Sequence, residues 1–347
     1  MRISMAHLSG MQTRTKTNTK KTVRTTAIAL VLTAVAAATA TVAIGCGATT
    51  HPEAPATLGS AASSSSMESL VDVPGPLTVE TVIGADWQVP LSGLLNLDHP
   101  AAKNAKLADR DEPIHVAFHA VTHPTRGTFL IDTGVERALF EAPDEAAIRG
   151  IAARVANVDK MKRRTDTKSW IDRQEHPPAG VFLTHLHADH VSGMRDVPAG
   201  TPVFLGPGEA RDRSFENLFV APIVDRALEN KPPLSVWRFS ADPDGVFDGL
   251  VDVFGDGSFW AIHVPGHTSG STAYLARTTT GAILFTGDAC HTSWGWEHGV
   301  EPGDFSSDKK RSASSLDRLR RFAGRHPKME IRVGHQERPR ASASTNP

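Results

Sequence analysis

The hydrophobic pattern divides the chain into three stretches. Residues 27–44 are a continuous apolar run of Ala, Val, Leu, Ile and Thr. Residues 46–76 are rich in Ser, Ala and Pro and carry no period, which predicts a disordered tether. From Leu77 onward, short apolar runs alternate with breaks rich in Gly, Pro and Asp. That texture belongs to a domain of many short strands with helices between them. Strands are predicted over 77–83, 114–122, 128–131, 181–183, 202–205, 234–239, 246–253, 259–264, 272–276, 282–286 and 329–333. Helices are predicted over 143–170, where Ile148, Ile151, Val155 and Val158 recur at helical spacing, over 208–220, and over 306–325, where Leu316, Leu319 and Phe322 form a stripe. Residues 87–97 and 98–113 read as loops. Alone, this pattern says only mixed α and β.

The run Val181-Phe182-Leu183 does not alternate and reads as a strand buried on both faces. It leads into Thr184-His185-Leu186-His187-Ala188-Asp189-His190, four potential metal ligands within six positions. Neutral imidazoles and a carboxylate suit zinc or another divalent first-row ion. His185 and His187 are two apart and point the same way in an extended segment. Asp189 and His190 follow at once, so a turn there aims them at a second point, and one loop can serve two metals.

This stretch resembles the His-x-His-x-Asp-His signature of the metallo-β-lactamase superfamily. Four more motifs follow the family's pattern: Asp132 in Leu-Ile-Asp-Thr-Gly, His267 in Pro-Gly-His-Thr-Ser-Gly, Asp288 in Phe-Thr-Gly-Asp-Ala, and His335 in Val-Gly-His. The resemblance implies an α/β fold, a four-layer αββα sandwich, over residues 77–340. It implies one metal held by His185, His187 and His267, a second by Asp189, His190 and His335, and Asp288 bridging the two, with zinc the expected ion. Asp132 would orient the ligand loop from behind. A hydroxide between the metals would attack an electron-poor carbonyl or phosphorus, with Asp189 passing a proton to the leaving group. The β-lactamases proper lack a carboxylate at the position of Asp288, so the likeness points to other hydrolase branches.

The stretch around Asp288, Trp294 and Pro302 looks most like the N-acyl homoserine lactonases. In such members an insertion like 143–170 walls the substrate pocket; packing alone is the other reading of that stretch. The lactonases carry a Tyr three residues after the bridging Asp, where this chain has His291. Its single Tyr is Tyr274. Either His291 donates a proton in place of that Tyr, or the substrate is a different ester or lactone. Thioesterase (glyoxalase II-like), phosphodiesterase and β-lactamase activities are the enzymatic alternatives. A metal-binding lipoprotein on a retired hydrolase fold is the non-catalytic one. Cys290 reads as a buried structural residue, and His115, His119, His123, His263 and His298 match no ligand position.

Composition adds the compartment. Arg2, Arg14, Lys16, Lys20, Lys21 and Arg24 precede the apolar run with no acid among residues 1–45, the layout of an export signal. Ala43-Ile44-Gly45-Cys46 resembles a bacterial lipobox, which implies Cys46 as a lipidated membrane anchor and a periplasmic or outer-membrane-tethered protein; a plain cleaved signal and an uncleaved anchor are the alternatives. Six of the 37 basic residues and none of the 38 acids precede Cys46, so the remainder carries a formal charge of −7. No basic patch suggests nucleic acid, and the expected partner is a small-molecule substrate. With only Cys46 and Cys290, no internal disulfide is expected.

Overall fold

The computed structural model describes residues 47–212 and 217–337, all of them within one compact unit, Cys46–Pro347. The expected signal segment 1–45, Cys46 and the polar tail 341–347 lie outside the described residues. Among the described residues no helix is long and apolar enough to cross a membrane.

Two sheets face each other. From edge to edge, the first contains Glu53–Pro55, Leu234–Val236, Val203–Leu205, Gly180–Phe182, Gly127–Ile131, Asp111–His123, Thr78–Pro90 and Lys162–Arg163. Its first five strands run parallel and the rest antiparallel. The second contains Glu330–Arg332, Gly281–Phe285, Thr272–Thr278, Phe259–His263, Leu250–Asp252 and Ser60–Ala61.

Side-chain alternation builds the layers, because successive residues of a strand face opposite ways. Phe129, Ile131, Phe182 and Phe204 of the first sheet meet Phe259, Tyr274 and Phe285 of the second in one cluster between the sheets. Their neighbours Leu130, Val181, Leu183, Val203 and Leu205 face outward against Trp170, Val191, Ala227 and Leu228. On the far side Trp260, Ile262, Leu275 and Leu284 pack under Leu316, Leu319 and Phe322 of the helix Lys309–Arg325. This is the αββα sandwich. It explains why Val181-Phe182-Leu183 lacks alternation: helices cover one face and a second sheet the other. Phe182 is at the centre, stacked on Phe129 at 4.9 Å and 7° and on Phe259 at 5.3 Å. Each such aromatic pair adds about 0.5–1.5 kcal/mol beyond its buried area.

Two expectations are corrected. Residues 47–76 are not a tether. Glu53–Pro55 pairs with Leu234–Val236, Ser60–Ala61 pairs with Val251 and Asp252, and Ser64–Val71 is a helix. Ser63 caps that helix and exchanges hydrogen bonds with Ser66. Met67 and Val71 are buried in the cluster of Phe247, Trp260 and Phe322, worth about 1.5–3 kcal/mol each. The Ser run that hid a period in the sequence is a capping device. The long helix over 143–170 is instead a set of short pieces, chiefly Ile151–Val155 and Thr167–Ile171. Gly150 at φ 63° and Asn157 at φ 51° turn the chain out of the helical path. Ile151 and Val155, expected to face the core, are each 76% exposed.

Smaller differences follow the same logic. The strand from Thr78 continues to Pro90 through residues read as loop, Pro100–Asn104 is a short helix, and the helix expected over 208–220 appears as Asn217–Ala227.

Candidate metal centre

All the candidate ligand loops leave the carboxyl ends of strands, where open α/β sheets place their sites. Asp132 follows Gly127–Ile131, and the His185–His190 loop follows Gly180–Phe182. In the second sheet His267 follows Phe259–His263, Asp288 follows Gly281–Phe285, and His335 follows Glu330–Arg332. Loops 82 and 103 residues further along the chain than His185 thus converge on one point between the sheets.

The seven candidates do meet. His267 Nε2 lies 3.2 Å from His185 Nε2 and 2.9 Å from His187 Nδ1. Donors 2.0–2.1 Å from a tetrahedral ion are about 3.3 Å apart, so these three nitrogens are spaced for one zinc-sized cation. On the other side, Asp189 Oδ2 lies 3.4 Å from His335 Nε2 and 3.8 Å from His190 Nε2. Asp288 Oδ2 stands between the sets, 3.2 Å from His335, 3.3 Å from His190, 3.5 Å from His267 and 3.6 Å from His185. His185, His187, His267 and Asp288 form one group able to hold a metal ion, and Asp189, His190 and His335 another.

The chemistry of the donors fits a cation. His190 Nε2 and Asp288 Oδ1 are buried with no hydrogen-bond partner, a costly state unless something positive satisfies them. Burial, followed by the neighbouring imidazoles His190 and His187, holds His185 well below the usual histidine pKa, and burial with His187 does the same for His267. Neutral imidazole is the ligating form. Burial works against the charge on Asp288, yet His335, His291 and His190 hold its carboxyl well below the usual range. Burial also opposes protonation of His335, but Asp288 lifts it to about 9. This half of the site asks for positive charge.

Asp132 fixes the loop. Its carboxylate accepts from the Thr184 backbone N–H at 2.8 Å, from the Thr184 hydroxyl at 2.9 Å and from His190 Nδ1 at 2.8 Å. Since a carboxylate only accepts, His190 Nδ1 carries the hydrogen, which leaves Nε2 as the nitrogen that faces the centre. Asp132 sits at φ 57°, a conformation that costs a non-glycine residue about 1–3 kcal/mol where the surrounding structure enforces it.

A second such residue, Glu209, has no sequence signature, because a lone Glu after Gly-Pro-Gly reads as a solvated turn. It is 1% exposed. Its carboxylate accepts from the Leu186 N–H at 2.8 Å, between His185 and His187, and from the Thr268 hydroxyl at 2.7 Å and the Gly270 N–H at 2.9 Å, just after His267. Glu209 therefore ties together the two loops that supply the first ligand group, and burial pushes its pKa up to about 7. Glu209→Ala strips three buried donors, each costing about 1–3 kcal/mol, and should lower metal affinity roughly 10–100-fold. Thermal unfolding and chelator competition check both.

The remaining candidates separate cleanly. Tyr274 is fully buried under the ligand strand, its hydroxyl donating to the Leu183 carbonyl at 2.8 Å. Cys290 packs with Ala289 and Trp296, and its thiol donates to the Thr292 carbonyl at 3.3 Å. His115, His123 and His263 pair with Asp86, Asp256 and the Ser269 carbonyl, His119 with Thr81, and His298 packs at a tilt against Trp294. His291 does enter the cluster, with Nε2 3.0 Å from Asp288 Oδ2.

The metallo-β-lactamase superfamily model matches residues 119–325. An N-acyl homoserine lactonase, AttM of Agrobacterium fabrum, is 29% identical over 231 residues, 65% of this chain and 83% of that protein. A metallo-hydrolase of Annulohypoxylon moriforme is 28% identical over 180 residues, 47% of each chain. Among solved structures, an N-acyl homoserine lactone hydrolase with the product N-hexanoyl-L-homoserine at its catalytic metal centre superposes with a TM-score of 0.52 at 18% identity, covering 76% of this chain and 93% of that one. AidC, a dizinc quorum-quenching lactonase, gives 0.51 at 15% identity, covering 77% and 90%. The chain belongs to the metallo-β-lactamase superfamily and is one of its hydrolases.

Proposed function

We propose that this protein is a dinuclear metal hydrolase acting on the carbonyl of a lactone or lactone-like ester. The observation that carries it is the position of Asp288, one buried carboxylate between two complete ligand groups. His185, His187 and His267 would hold one zinc or similar ion, Asp189, His190 and His335 the other, and Asp288 both. When bound, two such ions acidify a water and polarise the carbonyl oxygen.

The chain's own groups supply the rest. Asp132 and Glu209 fix the ring orientations and loop positions from behind. The side chain of Asp189 is 20% exposed while those of His190 and Asp288 are nearly sealed. Asp189 is thus the carboxylate of the cluster that reaches the open side, where it can take a proton and deliver it to the departing alkoxide. The lactone reading rests on the relatives named above; their substrates and products are theirs, and this chain is assigned the same class of bond.

The test is proton release by the zinc-loaded protein on short- and long-chain N-acyl homoserine lactones, with and without chelator. Turnover abolished by chelation and restored by zinc is expected. A protein shown to hold two zinc ions but inert on every lactone would contradict the substrate class.

A further inference from the structure

We propose that His291 is an additional metal ligand, acting through Nε2 on the ion that His335 and Asp288 hold. This rests on the dinuclear reading above and departs from the pattern of the lactonase group, in which a Tyr typically occupies the place of His291.

The ring is held in one orientation. His291 is 2% exposed, and its Nδ1 lies 2.8 Å from the backbone carbonyl of Leu94. A carbonyl cannot donate, so Nδ1 carries the hydrogen, and in the neutral ring Nε2 presents a lone pair. That nitrogen faces Asp288 Oδ2 at 3.0 Å. In the neutral ring, two acceptors at that distance need a positive species between them.

His335 is held in the same manner. Its Nδ1 lies 3.0 Å from the carbonyl of His115 and its Nε2 3.2 Å from the same Asp288 oxygen. The two rings stack with centroids 5.6 Å apart and planes 20° from parallel. A metal-binding histidine almost always donates its other ring N–H to a carbonyl or carboxylate, and both rings meet that description. Their loops are laced together: the Gly334 N–H donates to the Cys290 carbonyl at 2.9 Å and the His335 N–H to the His291 carbonyl at 3.1 Å. Asp288, His291 and His335 place one ligand atom each within 4.8 Å of one another.

A phenol at this position would leave the Leu94 carbonyl without the ring N–H and would bring a weakly acidic hydroxyl to the centre. An imidazole with a fixed tautomer brings a ligand instead.

The test uses the zinc-loaded protein, with His291→Tyr and His291→Phe beside it and circular dichroism as the control for folding. Two readouts are independent of activity: competition with a chromophoric chelator, and the number of imidazoles per metal from zinc X-ray absorption. Both variants should lose at least about tenfold in affinity for one of the two ions, more than the least effect of an outer-shell partner, and should show one imidazole fewer per pair of metals. Unchanged affinity and imidazole count in folded variants would overturn the proposal and leave the dinuclear reading standing. A parent protein that never holds two ions would overturn both.

Discussion

Asp288→Asn is expected to leave a folded protein that holds at most one tightly bound metal ion and has lost more than about 100-fold in turnover. The amide has the shape of the carboxylate, so the buried cluster keeps its packing. What disappears is the anion facing His335, His190, His267 and His185 at 3.2–3.6 Å. Two cations side by side repel, and a shared negative ligand offsets that. Removing an outer-shell partner already costs about 10–100-fold; removing the group common to both ligand sets should exceed the upper end of that range. Metal analysis after dialysis and steady-state rates give the two numbers. Two retained ions with parental turnover would remove Asp288 from the centre of the mechanism.

Gly334→Ala should act on the same carboxylate without replacing any candidate ligand. A Cβ on Gly334 would stand 2.2 Å from Asp288 Oδ1 and 3.1 Å from the Gly287 carbonyl. The backbone of Gly334 needs no positive φ, so alanine is refused only by the neighbour. The carboxylate has to move, and displacement of a reacting group by about 1 Å can cost on the order of 10²-fold. Overpacking at such a site costs about 1–3 kcal/mol, which a folded domain survives. The expected signature is a large loss of turnover with a modest fall in unfolding temperature; a normal rate would mean that the position of Asp288 matters little.

These two cases show what the sequence carries and what it does not. The candidate ligands were legible because metal chemistry restricts residue type and spacing: His185, His187, Asp189 and His190 leave few other readings. The strands were legible as short apolar runs, but not the face each side chain takes: Val181-Phe182-Leu183 is apolar throughout, and only the packing sets Phe182 between the sheets and its neighbours against the helices. What was hidden depends on distance through space. Glu209 is an ordinary acid at a turn until burial brings Leu186, Thr268 and Gly270 to it. The Ser63–Ser66 run reads as linker because serine carries no period, and only the cap and the buried Met67 disclose a helix. Residues 143–170 carry a helical stripe, but Gly150 and Asn157 adopt left-handed backbone and break it. His291 was visible as a departure from a pattern; the tautomer imposed by the Leu94 carbonyl was not.

The central claim is two ions sharing Asp288. The most direct measurement is anomalous diffraction at the zinc edge from crystals of the zinc-loaded protein. Two peaks about 3.5–4 Å apart are expected, one beside His185, His187 and His267 and the other beside Asp189, His190 and His335, with the Asp288 carboxylate between them. A single peak at full zinc occupancy, or two peaks on ligands that do not include Asp288, would contradict it.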